Sequence, residues 1–151
     1  MASMRQTISL GVDDLAATRF AASPLGETVF ALQLLRTGAA HPVNRPWLRW
    51  ALHDLSRHPL SLPLLWPLLR DGQRNRPEFL TPAPSAHALS LDEETERMRA
   101  TPPSHVRSSL ERIFGCRGSA PWPGSARELA ARPRPTLTLL AGELTAPGTA
   151  A

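Results

Sequence analysis

His53, Asp54 and His58 lie close together in this chain, with His41 upstream, and those residue types invite a metal-site reading. Two imidazoles share one helix face when they are four residues apart, whereas His53 and His58 are five apart. The single cysteine, Cys116, is remote from all of them. The spacing therefore predicts ordinary surface histidines and no metal. Cys116 beside Arg117 has the composition of an activated thiolate, but it follows the helix-ending Gly115, a place where a lone cysteine is usually inert. Ser104, Ser108 and Ser109 have no strand-turn-helix elbow of the GxSxG kind around them, so a hydrolase has no support. With no acid/base pair and no nucleophile constellation, the expectation is a non-enzyme without a cofactor.

Two constellations point to binding. Trp47, Trp50 and Trp66, with Phe30 and Phe79, have the bulk to line an apolar effector pocket, although aromatics on helices are more often core. These five are the candidate site. Arg45, Arg49, Arg70, Arg74 and Arg76 would make a phosphate-facing patch if they gathered on one side. All 17 basic residues are arginine, however, and 13 carboxylates are interspersed, for a formal charge of +4. Abundant Ala, Leu, Pro and Arg without Lys is what guanine- and cytosine-rich codons encode, so the pI near 11.1 is weak evidence for nucleic acid.

The elements that must position these residues are legible from local signals. At 151 residues and 42% hydrophobic, the chain is sized for one domain with a core. Sixteen prolines predict short, often-terminated helices. A single cysteine excludes an intrachain disulfide and fits a reducing cytosol. The N-terminus lacks the apolar stretch of a signal peptide, and the most apolar segment, 60–69, is too short and proline-broken to span a bilayer. The expectation is a cytoplasmic chain with no membrane contact.

Residues 5–12 read as a short strand, and 13–22 as a short helix opened by two aspartates. "SPLGETVFALQLLRTG" is the clearest helix. Ser23 caps it, Pro24 suits its first position, Leu25, Val29 and Leu32 form the core stripe, and Gly38 stops it. "NRPWLRWALHDLSRH" repeats that grammar with Asn44 as cap. Trp47, Leu48, Ala51, Leu52 and Leu55 point inward there, and Trp50, Asp54 and Arg57 outward. One or two short helical turns follow in 62–72, stopped at Gly72, then a loop anchored by Phe79 and Leu80. Ser90 and Glu93 form a capping box, and Glu93 with Arg97 has the favourable acidic-first spacing. Thr101 can cap the next helix, whose Val106, Leu110, Ile113 and Phe114 face the core.

The stretches "DDLAATRFAASPLGETVFALQLL", "PEFLTPAPS" and "RMRATPPSHVRSSLERI", in that order, resemble the N-terminal region of ArsR-type winged-helix transcriptional regulators from high-GC bacteria. The resemblance covers residues 5–114. It departs at Gly26, where that family usually carries Trp, and no helix-turn-helix with a basic recognition helix is found in the remainder. No DNA-contacting residue can be carried over.

The expected fold is mainly α, a compact bundle of about six short helices with one short N-terminal strand. Its parts would be a helical regulator-like domain over 5–114, a Pro/Gly/Arg-rich linker over 115–135, and a short helix with a frayed tail over 136–151. What the resemblance implies is a regulatory or dimerisation module of an ArsR-like regulator, truncated or stand-alone. It would work with a small effector or as a homodimer, and would reach DNA only through a C-terminal region absent here. The other reading is a small helical ligand-binding or protein-interaction domain unrelated to DNA. For Leu137, Leu139, Leu140 and Leu144 the expectation is an apolar stripe that pairs two chains or docks on its own domain.

Overall fold

Ser23 starts the second helix of the chain. Its hydroxyl accepts from the Gly26 N–H, Pro24 occupies the first turn, and Gly38 ends the helix at φ 62°, a left-handed conformation that suits glycine. This is α2, Pro24–Thr37, and Leu25 and Val29 on its inner stripe have no exposed surface. The computed structural model describes residues 7, 9–18, 20–38, 42–69, 76–85, 89–115, 122–146 and 148–149.

Around α2 the described residues form a mainly helical, compact fold. In chain order come α1 (Val12–Ala17), α2, α3 (Arg45–Leu55), β1 (Leu60–Ser61) and 3-10 turns at Trp66–Leu68 and Glu78–Leu80. Then follow α4 (Leu91–Arg99), α5 (Pro103–Leu110) prolonged by a π turn at Glu111–Gly115, α6 (Gly124–Ala131), α7 (Pro133–Thr145) and β2 (Gly148–Thr149). β1 and β2 pair antiparallel, Leu60 opposite Thr149 and Ser61 opposite Gly148.

One core joins α2, the 62–69 and 79–80 segments, and α4 to α7. Leu25, Val29, Leu65, Leu80, Met98, Val106, Leu110, Leu129, Leu137 and Leu140 all belong to it. The predicted anchors Phe79 and Leu80 are buried, as are Val106, Leu110, Ile113 and Phe114. α3 is held more loosely. Leu48 and Ala51 are buried, whereas Leu52 and Trp47, expected inward, are substantially exposed.

Several expectations change. In the 5–12 stretch the described residues Thr7, Ser9, Leu10 and Gly11 form no strand, Val12 opens α1, and Arg5, Gln6 and Ile8 lie outside the described residues. The ladder that does form pairs β1 with β2 instead. Asn44 and Thr101 do not cap. Asn44 has helical backbone angles and makes no side-chain cap bond, and α5 begins after Pro102. The 115–135 stretch contains α6, whose Ala126 and Leu129 are buried in the core. The last helix starts at Pro133 rather than near Thr136. Pro133 and Pro135 both fit its first turn, where no N–H needs an intrahelical acceptor. Leu137, Leu140 and Leu144 are buried in the chain's own core, and only Leu139 of the supposed stripe is exposed.

Two carboxylates, one buried and one partly exposed, tie the fold together across long sequence separations. Glu94 on α4, fully buried, accepts the Leu25 N–H at 2.7 Å and so sits at the N-terminus of α2, where the helix dipole favours negative charge. Glu143 on α7 accepts the N–H groups of Leu64 and Leu65, one on each carboxylate oxygen, both at 2.9 Å.

Gly26 has a specific reason to be glycine here. A Cβ at that position would lie 2.8 Å from the Ser23 hydroxyl oxygen and 3.2 Å from its Cβ, so any side chain pushes against the cap. Gly26→Ala should therefore cost up to about 1 kcal/mol by displacing the capping hydroxyl. In a Ser23→Ala background the same change should cost less, because the hydroxyl contact is gone, the gain in helix propensity stays and only the 3.2 Å approach to the residue 23 Cβ remains. Urea melts of the four proteins in this cycle check the coupling. Gly26→Trp, the residue usual in the resembling family, should destabilise more than alanine.

Candidate functional site

A cleft of about 510 Å³ opens on the face where α4 ends and α5 begins. One wall comes from α5 and its two ends: His105, Ser108 and Ser109 on the helix, Thr101 just before it and Arg112 in the π turn after it. The opposite wall is the 3-10 turn at Glu78–Leu80 and its exit, contributing Glu78, Phe79 and Pro82. Arg97 and Ala100, from the last turn of α4 and just beyond it, close the end.

The walls are fixed to each other by polar bonds. The Ser109 hydroxyl, buried, accepts the Glu78 N–H at 3.0 Å. The Arg112 guanidinium pairs with the Glu78 carboxylate, with a second contact at 3.5 Å between Nη2 and Oε2. Arg112 lies within the π turn, where one extra residue per turn re-aims the side chains relative to a regular α-helix. Phe79 is 4% exposed, so it supplies an apolar base rooted in the core rather than a mobile lid.

Arg97 is the distinctive member. The expected Glu93–Arg97 ion pair does not form, because the capping box claims Glu93. Its carboxylate accepts both the N–H (2.7 Å) and the hydroxyl (2.9 Å) of Ser90. Those two bonds, the backbone one first, also hold the Glu93 carboxyl below the usual carboxylate range. The Arg97 guanidinium is left half-buried against the cleft, with Nη1 sealed from solvent and without a hydrogen-bond partner. A buried donor in that state costs free energy until something accepts from it.

The five aromatics of the candidate pocket do not share this cleft, which takes only Phe79. Trp66 packs at the edge of the core beneath Arg36, whose guanidinium carbon lies 5.9 Å from the ring centroid and which also donates to the Trp66 carbonyl. Phe30, Trp47 and Trp50 are exposed, Trp50 most of all. Of the supposed arginine patch, Arg45 and Arg49 are exposed on α3, and Arg76 instead reaches Thr81 and Gln33, both at 3.4 Å. Arg70 and Arg74 lie outside the described residues, as do His41 and Cys116. His53 and His58 are exposed, with His58 3.7 Å from Asp54. Among the described residues no group of three or more metal-ligating side chains comes together.

Sequence reasoning missed this cleft because its polar residues look like the solvated faces of α4 and α5. Only the arrival of the 78–82 turn makes a concavity of them. Comparison with known protein families, with curated proteins and with solved structures finds no match.

Proposed function

We propose that this chain is a regulatory module that binds a small effector in the α4–α5 cleft, with control of transcription as the role that its resemblance to ArsR-type regulators implies. One observation carries the reading. Every residue lining the cleft belongs to the second or third of the segments on which that resemblance rests. The first segment supplies α2, which is tied to α4 by the bond from the Leu25 N–H to Glu94. Two stretches apart in sequence thus converge on one concave, partly polar surface, the form small-molecule sites commonly take. The geometry favours binding over catalysis, since the cleft pairs cations with hydroxyls and offers no base poised beside a nucleophile. The dimerisation side of the reading falls to α3, where Trp50 and Leu52 are exposed, rather than to the buried leucines of α7.

Thermal melting against a collection of small metabolites tests the proposal. At least one chemical class should raise the melting temperature by about 5 °C when present in large excess over its Kd. Ser108→Trp, which fills the cleft from an exposed position, should abolish that gain. A chain that melts identically with every compound is not an effector module. In gel shifts the chain should show only weak, salt-sensitive association with DNA. Nanomolar affinity for one sequence in excess competitor would place the function in direct DNA reading instead.

A further inference from the structure

We infer that the ligand of this cleft is a small organic anion, a phosphate or carboxylate head on a compact apolar body, with Arg97 as the principal head-group contact. The inference rests on the effector-binding reading above and specifies its chemistry. Two guanidinium groups line the cleft against one carboxylate, Glu78, so the lining carries a positive excess before His105 is counted. The two arginines are not equivalent. Arg112 already has a carboxylate partner, whereas Arg97 has lost its expected one to the Ser90 capping box and its half-buried guanidinium has no ion-pair partner among the described residues. An anion is the ligand that satisfies such a group, because a guanidinium has five donors and no acceptor and binds planar or tetrahedral oxyanions in a forked geometry.

The remaining lining fits the same ligand. The Ser108 and Thr101 hydroxyls and the His105 imidazole add donors on the α5 wall. Ser109 accepts the Glu78 N–H through its oxygen and keeps its own hydrogen to give. Phe79, Pro82 and Pro102 supply an apolar wall for the body of the molecule. The volume of about 510 Å³ suits a molecule the size of a substituted ring. A free cation would face two guanidinium groups, and a purely apolar ligand would leave Arg97 unsatisfied.

The test uses the full chain at about 0.15 M salt, which damps indiscriminate attraction to the surface. Phenyl phosphate, benzyl alcohol and benzylamine present one ring with an anionic, a neutral and a cationic head, and amide chemical shifts of Ala100, Thr101 and Ser108 report occupancy. Phenyl phosphate should perturb these amides and bind at least about tenfold more tightly than either other probe. Arg97→Gln should weaken it by about tenfold or more and Arg97→Lys by less, while Arg134→Gln on the exposed face of α7 should change nothing. Circular dichroism of each variant checks that the fold is retained. If benzyl alcohol binds as tightly as phenyl phosphate and Arg97→Gln has no effect, the cleft reads shape and the anion assignment is wrong, although the effector reading stands. Phenyl phosphate that leaves the cleft amides unmoved also overturns the assignment. A metabolite screen without a single Ser108→Trp-sensitive hit would then remove the effector reading too.

Discussion

Stopping the chain after Arg132 should abolish cooperative unfolding. The deletion removes α7, and with it Leu137, Leu140 and Ala141, none with exposed surface, and Leu144 at 5%. Burying a leucine is worth about 2 kcal/mol, so the three leucines alone represent roughly 6 kcal/mol against a total stability of order 5–15 kcal/mol. The deletion also strips the N–H groups of Leu64 and Leu65 of their shared acceptor, Glu143. Circular dichroism should show a broad, non-cooperative melt and raised dye binding. Leu139→Asp is the control, because Leu139 is 59% exposed and its replacement should shift stability by no more than about 0.5 kcal/mol. A truncated chain that still melts sharply would mean that α7 is not part of the core.

Val29→Asp should be nearly as severe. Val29 has no exposed surface and sits on the central stripe of α2 between Leu25 and Leu32. An aspartate there either buries an unpaired charge or must bind a proton to stay inside, and the cost exceeds about 4 kcal/mol in either case. Val29→Ala, which leaves only a small void, should cost about 2 kcal/mol. Phe30→Asp, one residue along and 44% exposed, should cost markedly less than Val29→Asp. Urea midpoints for the three variants give the ranking, and equal midpoints for Val29→Asp and the parent would put α2 on the surface.

What could be read in advance was whatever is encoded locally. The Ser23 cap, the glycine after Thr37 and the Ser90–Glu93 box act within four residues of themselves, so α2 was legible down to its core-facing positions and α4 in its start, though not in its buried Glu94, Thr95 and Met98. The helix α6 was not, since "PGSARELAA" opens with turn-forming residues and carries few large apolar side chains. Its Ala126 and Leu129 become core only because α5 and α7 close over them. Pro133 and Pro135 read as breakers, yet both stand in the one helical turn that tolerates them. The cleft was illegible for a related reason. Arg97, His105, Ser108 and Arg112 have the sequence character of exposed helix faces, and no local signal announces that Glu78 to Pro82 will fold against them.

The clamp of Glu143 on Leu64 and Leu65, together with the pairing of β1 with β2, has a consequence for how the chain folds as it is synthesised. The Glu143 bonds join positions 78 and 79 residues apart in sequence, and the ladder closes a still longer span. Such non-local closure is slow, because chain entropy is lost before any contact repays it. On the ribosome the apolar 60–69 run emerges well before α7 does, and its backbone donors have no carboxylate to meet until Glu143 has left the exit tunnel. Through that interval the apolar side chains of the segment stay uncovered, and pausing of translation before α7 lengthens their exposure.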